Sequence, residues 1–113
     1  MVNPEGARQQ MEGCIMMGLG YTLSEEVAFA NGAIRTTNFD SYELPRFGWR
    51  PAVEPVILDS PDMPAQGGGE PAIVTMGAVV ANAVFDAIGA RVFQLPLTPE
   101  RVKAALALHP RTK

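Results

Sequence analysis

Cysteine and histidine are nearly absent from this sequence of 113 residues, which contains Cys14, His109 and no other residue of either type. A single cysteine excludes an internal disulfide framework and a metal site built from cysteines. One cysteine and one histidine also cannot form the kind of cluster that holds zinc or iron. We therefore expect no metal bound by protein side chains, and a reducing compartment as the default.

Long hydrophobic runs are missing too. The most apolar stretch, residues 72–85, is interrupted by Thr75, Gly77 and Asn82, so it does not provide the roughly 18 apolar residues of a membrane span. The start of the chain has neither the basic nor the apolar region of a signal peptide. The sequence predicts no membrane span and a cytoplasmic location, with export of a longer parent protein left open.

Charged residues are few. Nine Lys and Arg against twelve Asp and Glu give a net charge of −3, and charged residues make up 19% of the chain, below the usual figure of about 25%. This acidic balance argues against a nucleic-acid-binding protein, and a hydrophobic content of 47% excludes a wholly disordered chain. So few charges leave apolar surface uncovered, and we expect a face that needs a partner.

The first predicted element is a long helix that begins at Asn3-Pro4 and ends near Leu23, because Asn is a favoured N-cap residue and Pro a favoured first helical residue. Three glycines, with Gln10 and Met17 between them, also form a stripe along one side of this helix. Two interpretations stay open: a neighbouring element packs very closely, or a ligand lies against the backbone and contacts the amide of Gln10. The stripe consists of Gly6, Gln10, Gly13, Met17 and Gly20.

The middle of the chain predicts a small amount of β structure. Asn31-Gly32 lies between two short runs of β-forming residues, which is typical of a hairpin with a type I′ turn. Residues 38–51 predict a long irregular loop. Residues 52–59 predict an edge strand, because Pro55 lacks a backbone donor.

A second helix is predicted after three consecutive glycines. Glu70-Pro71 would open it and Gly89 would follow its last residue, Ile88. It is apolar nearly all round, which is typical of a helix inside a larger core. A last helix, from Thr98 to about Leu108, would be stopped by His109-Pro110. The fold class is therefore α+β, with residues 1–113 forming a single segment.

The turn Gly67-Gly68-Gly69-Glu70-Pro71 is the main candidate for chemistry. Consecutive glycines let a ligand approach the backbone, and a helix start favours negative charge. Glu70 has two interpretations: a favourable charge at a helix start, or a general base in a dry pocket.

Seven segments, spread over nearly the whole chain, stand out together: Asn3-Pro4, Gln10-Met11-Glu12-Gly13, Gly18-Leu19-Gly20, Thr37-Asn38-Phe39-Asp40-Ser41-Tyr42, Gly69-Glu70-Pro71, Ala81-Asn82-Ala83-Val84 and the stretch from Leu95 to Val102. In this order they resemble the large, molybdenum-binding subunits of the xanthine dehydrogenase and aldehyde oxidase family. The Asn-Phe-Asp segment at residues 38–40 and the segment at residues 51–58 most resemble the isoquinoline 1-oxidoreductase β-subunit branch.

The resemblance implies roles for four residues. Gln10 matches the glutamine that hydrogen-bonds the pterin cofactor, and Gly68 and Gly69 match the turn that brings backbone amides near it. Glu70 matches the catalytic glutamate beside molybdenum, which acts as a base. The implied cofactor is molybdopterin, in its cytosine dinucleotide form, whose dithiolene sulfurs hold the molybdenum. The family's turn more often has Val or Ala where this chain has Gly68.

The resemblance further implies that the chain is the C-terminal part of a molybdopterin-binding domain in an oxidoreductase that hydroxylates an aldehyde or an N-heterocycle with oxygen from water. Its partners would be the remainder of the large subunit, an iron–sulfur subunit or domain and a small-molecule substrate. The isolated chain would be inactive and bind no cofactor. The alternative is a small self-standing binding or structural module, forming a homodimer through exposed apolar surface.

Overall fold

The computed structural model describes residues 1–108 as three helices and one small sheet. Helix α1 spans Pro4–Leu23, strand β1 Phe29–Ala30, strand β2 Ala33–Ile34, helix α2 Met76–Ile88 and helix α3 Pro99–Leu108. A short 3-10 helix, Phe47–Trp49, lies within the long central loop. This confirms the α+β class, whereas the predicted stop at His109-Pro110 lies outside the described residues.

Helix α1 begins where the sequence predicts. The Asn3 side-chain oxygen accepts a hydrogen bond from the backbone N–H of Gly6 at 2.9 Å, and Pro4 occupies the first helical position. The helix ends at Leu23, after which the N–H of Ser24 donates to the Gly20 carbonyl. The local N-cap chemistry therefore fixes the helix start without help from tertiary contacts.

The hairpin is confirmed, with strands shorter than expected. Strands β1 and β2 pair antiparallel, with Phe29 opposite Ile34 and Ala30 opposite Ala33. Asn31 and Gly32 have φ values of 53° and 74°, as the two central residues of a type I′ turn require.

The predicted edge strand over residues 52–59 is wrong. The segment has the alternating exposure of a strand, since Val53 and Ile57 are half-buried while Val56 and Leu58 are 83% and 80% exposed. No strand of the described chain lies beside it to complete a hydrogen-bonded ladder, so the segment has the period of a strand without the pairing.

Helix α2 starts five residues later than Pro71. The chain from Glu70 to Met76 makes turns in which the N–H of Ile73 donates to the Glu70 carbonyl and that of Met76 to the Ile73 carbonyl, both at 3.2 Å. Thr75 is the N-cap residue. The β-branched residues before Met76 have low helix propensity, which favours this delay. Gly89 follows Ile88 with a φ of 74°, as predicted.

The core forms where α1 crosses α2. A Cβ atom added at Gly18 would lie 2.5 Å from Cγ and 2.6 Å from Cβ of Met76, so the absence of a side chain allows this close approach. Around the crossing, the buried hydrophobic residues are Cys14, Met76, Ala90, Leu97 and Ala105. Thr22 is buried with them, and its hydroxyl donates to the Gly18 carbonyl at 2.6 Å.

Close packing explains only part of the glycine stripe on α1. A Cβ atom at Gly20 would collide with Glu25 and Pro45, and one at Gly6 would press on the Asn3 cap. A Cβ atom at Gly13 would meet nothing within 4 Å. No neighbouring helix or strand explains either position, because Glu25 and Pro45 lie outside the helices and strands and Gly13 faces open space.

Much of the apolar surface stays uncovered. The accessible area is 8643 Å² for a 12.1 kDa chain, against about 6,000 Å² for a compact monomer of this mass. The radius of gyration is 17.6 Å, against about 13 Å for a compact domain of similar length. Even Val79, inside α2, is 54% exposed. Within residues 1–108, no helix has the length and apolar character needed to cross a membrane.

We expect Gly18→Ala to destabilise the chain by about 1–3 kcal/mol, because the new methyl group would force α1 and α2 apart. The matched control is Gly13→Ala, which adds the same methyl group to the same helix with no atom within 4 Å and should stabilise it by about 0.5–1 kcal/mol. Urea unfolding followed by circular dichroism at 222 nm measures both. Equal stability of the two variants would contradict the packing described above.

Tyr42 ties the central loop to the end of α1, and its ionisation provides a second test. The Tyr42 hydroxyl donates to Glu25 Oε2 at 2.6 Å, and this hydrogen bond, with burial and the Glu25 charge, raises the pKa of Tyr42 to about 12. The unfolded pKa is about 10. The Tyr42–Glu25 hydrogen bond therefore stabilises the folded chain fully below about pH 10. This contribution to the free energy of unfolding is lost as the pH rises through the folded pKa of Tyr42.

In a Tyr21→Phe background, absorbance at 295 nm should show Tyr42 ionising near pH 12. Glu25→Gln should move the midpoint toward about 10, because the amide acceptor carries no charge. Glu26→Gln is the control, since Glu26 pairs with Arg101 instead. If Glu25→Gln left the ionisation midpoint of Tyr42 unchanged, the hydrogen bond to Glu25 would not be the cause of the raised pKa.

Candidate functional site

A cavity of about 760 Å³ lies between the first half of α1 and the loop that ends in the three glycines. Its lining includes Gln10, Gly68 and Gly69, so the structure brings together three of the four predicted site residues although 58 positions separate Gln10 from Gly68 in the chain. We call it the Gln10 cavity. The same wall contains Gln66 and Pro71.

The three glycines at 67–69 are not required by the chain itself. None has a positive φ, so the backbone conformation would accept other residues. A Cβ atom on any of the three would meet nothing within 4 Å. Within residues 1–108, no backbone N–H of these glycines donates a hydrogen bond. The turn therefore has backbone N–H groups without partners and no side chains around them. Both properties allow a ligand to approach the backbone closely.

Glu70 stands at the rim of the Gln10 cavity. Its neighbours Gly69 and Pro71 line the cavity, while Glu70 itself does not and is exposed. Because α2 begins at Met76 with Thr75 as N-cap, Glu70 lies outside the first turn of the helix, and the interpretation as a helix-start charge is wrong. The described residues form no dry pocket around Glu70 either, since it is exposed, and its role as a base stays a prediction. Among the described residues its carboxylate makes no ion pair or hydrogen bond.

The Cys14 thiol is the feature that sequence reasoning missed. Cys14 is 5% exposed and its Sγ donates to the Gly69 carbonyl at 2.9 Å. It lies one helical turn after Gln10, on the same side of α1. Because Cys14 is four residues from the candidate ligand-binding amide of Gln10, this spacing could have identified the thiol from the sequence. Cys14 therefore links the helix that bears Gln10 to the turn that precedes Glu70.

The side chains that line the Gln10 cavity are uncharged and mostly apolar, with a few amide and hydroxyl groups among them. No side chain of its lining is charged, and its polar side chains come from Asn3, Gln10, Ser60 and Gln66. Within residues 1–108 no group of three His, Cys, Asp or Glu residues could hold a metal ion. Amide donors and bare glycine backbone fit an organic cofactor with many acceptor atoms that carries its own metal ligands, so the residues present fit molybdopterin.

Comparison with known proteins agrees with this chemistry. A family model described as a molybdopterin cofactor-binding domain matches residues 1–51, which include Gln10. One subunit of the nicotinate dehydrogenase of Pseudomonas putida is 40% identical over 106 residues, 94% of this chain and 9% of that protein. The aldehyde oxidoreductase molybdenum-binding subunit PaoC of Escherichia coli is 36% identical over 109 residues, 90% of this chain and 15% of that protein.

A solved structure gives the same result in three dimensions. Quinoline 2-oxidoreductase from Pseudomonas putida 86 matches with a TM-score of 0.79 and 30% identity, over 95% of this chain and 15% of that one. The chain thus spans between 9% and 15% of the length of these proteins. It belongs to the molybdenum hydroxylase family of xanthine dehydrogenase and aldehyde oxidase type, as one segment of a molybdopterin-binding subunit.

Proposed function

We propose that this chain supplies part of the cofactor-binding surface and the catalytic glutamate of an enzyme that hydroxylates an aldehyde or an N-heterocycle with oxygen from water. The observation that carries the proposal is that Gln10 and the glycine turn line one cavity, with Glu70 at its rim. The names of the relatives support this substrate class, since they refer to nicotinate, aldehyde and quinoline. Membership of the isoquinoline 1-oxidoreductase branch stays a prediction.

Each site residue has a distinct part in this proposal. The Gln10 amide and the backbone N–H groups of Gly68 and Gly69 would hold the pterin through hydrogen bonds, because these donors are free within the described chain. When bound, the molybdenum cofactor, which we propose is the cytosine dinucleotide form, supplies the redox chemistry. Glu70 would act as the general base and accept a proton at its carboxylate.

The remainder of a large subunit is the partner that best fits the uncovered surface. The area in excess of a compact monomer is about 2,600 Å², whereas one side of a standard interface buries about 800 Å². Exposed large side chains also lie on separate elements, including Phe29 of the hairpin, Leu58 of the extended segment and Val74 before α2. A homodimer through one helix face would leave most of these uncovered.

The proposed assembly contains an iron–sulfur subunit or domain and is cytoplasmic. The isolated chain would be inactive. A self-standing homodimer predicts instead an unfolding midpoint that rises with protein concentration, and thermal unfolding at several concentrations would reveal it.

In the full subunit, we expect Glu70→Gln to abolish turnover while leaving the molybdenum content unchanged, because the amide cannot accept the proton but keeps the shape of the side chain. Initial rates and metal analysis measure the two quantities. Glu54→Gln is the control, since Glu54 is an exposed carboxylate outside the Gln10 cavity. Near-normal turnover of Glu70→Gln would exclude Glu70 as the base.

Gln10→Ala should instead lower cofactor occupancy, because it removes a side-chain hydrogen bond from the cavity wall. Loss of one neutral hydrogen bond corresponds to a roughly three- to tenfold weaker affinity. Gln9→Ala is the matched control on the same helix, because the Gln9 amide points to Glu5 and Gln9 does not line the cavity. Cofactor occupancy is measured as the pterin and molybdenum content per subunit. Equal occupancy in both variants would refute the role of Gln10.

A further inference from the structure

The Cys14 thiol is buried, and it contacts the glycine turn. Its Sγ lies 2.9 Å from the carbonyl oxygen of Gly69, 55 positions later in the chain. The thiol thus adds a hydrogen bond that a purely apolar residue would not provide.

The glycine turn has little else to fix it. Gly67, Gly68 and Gly69 have no side chains to pack, and within residues 1–108 their N–H groups donate to nothing. In the described chain, the hydrogen bond from Cys14 to Gly69 is the one non-local hydrogen bond that reaches residues 64–69. Consecutive glycines have the largest conformational freedom of any residues, so the turn depends on this bond for a single conformation.

The carbonyl that Cys14 holds belongs to the peptide group that joins Gly69 to Glu70. Because a peptide group is planar, fixing its oxygen also fixes the direction of the Glu70 N–H and restricts where the Glu70 side chain can begin. After Glu70 the chain is held by the bond from the Ile73 N–H to the Glu70 carbonyl. Glu70 therefore lies between two anchors, and Cys14 supplies the first.

We propose that Cys14 is a positioning residue for Glu70, holding the Gly69–Glu70 peptide against α1 so that the carboxylate is presented at the rim of the Gln10 cavity. The proposal rests on the proposed function, in which Glu70 is the base. Cys14 takes no part in the reaction itself. Its effect should therefore appear in kcat per bound molybdenum and in the mobility of the turn, and cofactor content should fall with them, because Gly68 and Gly69 of the same turn would hold the pterin.

The test compares Cys14→Ala, which removes the donor, with Cys14→Ser, which keeps one. In the cofactor-loaded full subunit, we expect Cys14→Ala to lower kcat per bound molybdenum about three- to tenfold, the effect of losing one hydrogen bond, with KM unchanged and a lower molybdenum content. Hydrogen–deuterium exchange of the peptide containing residues 64–75 should become faster. Cys14→Ser should restore both quantities toward those of the unmodified protein.

Ile15→Val is the packing control, because it removes one methylene group from the neighbouring half-buried side chain of α1 without touching the turn; it should leave kcat and exchange unchanged. The proposal is overturned if Cys14→Ala keeps the original kcat or exchange rate, or if Cys14→Ser behaves like Cys14→Ala. Glu70→Gln, measured in parallel, separates the two hypotheses: turnover in that variant rejects the proposed function, whereas normal exchange in Cys14→Ala rejects the anchoring of the turn.

Discussion

The close approach of α1 and α2 at Gly18 is the contact on which the rest of the structure depends. Because Gly18 has no side chain, Met76 can lie against the α1 backbone, and this brings the start of α2 to the second half of α1. The glycine turn lies only a few residues before α2, so the same contact carries it to the first half of α1. The Gln10 cavity is the space that remains between them.

Helix α1 therefore has two functions in the architecture. Gln10, Cys14 and Gly18 follow one another at intervals of four residues, and they contact the cavity, the Gly69 carbonyl and α2 in that order. A helix suits this task because residues four positions apart lie on the same side with a fixed separation. The turn of three glycines, which has few contacts of its own, is thus held against a rigid element, which is the arrangement that precise positioning of a reactive group requires.

The small core and the large accessible area have one physical cause. Within residues 1–108 the interior consists of five buried hydrophobic residues with Thr22, Pro96, Gly18 and Gly20. Most of α2, the hairpin and the extended segment over residues 52–59 keep apolar side chains exposed. The chain spans 9–15% of the length of the relatives reported above, and under the proposed function the remainder of a large subunit would cover these surfaces. The low charge content and the incomplete burial both reflect a large apolar surface that the chain itself does not cover.

The sequence by itself determined the features that depend on neighbouring residues: the Asn3 cap of α1, the Asn31-Gly32 turn and the end of α2 at Gly89. It also carried the motif that relates the chain to molybdenum-binding subunits. Only the tertiary structure decided that residues 52–59 lack a partner strand, that α2 begins as late as Met76, and that Cys14 reaches the Gly69 carbonyl. The physical reason is that strand pairing and a thiol–carbonyl hydrogen bond join distant parts of the chain, and their geometry exists only after α1 and α2 have packed.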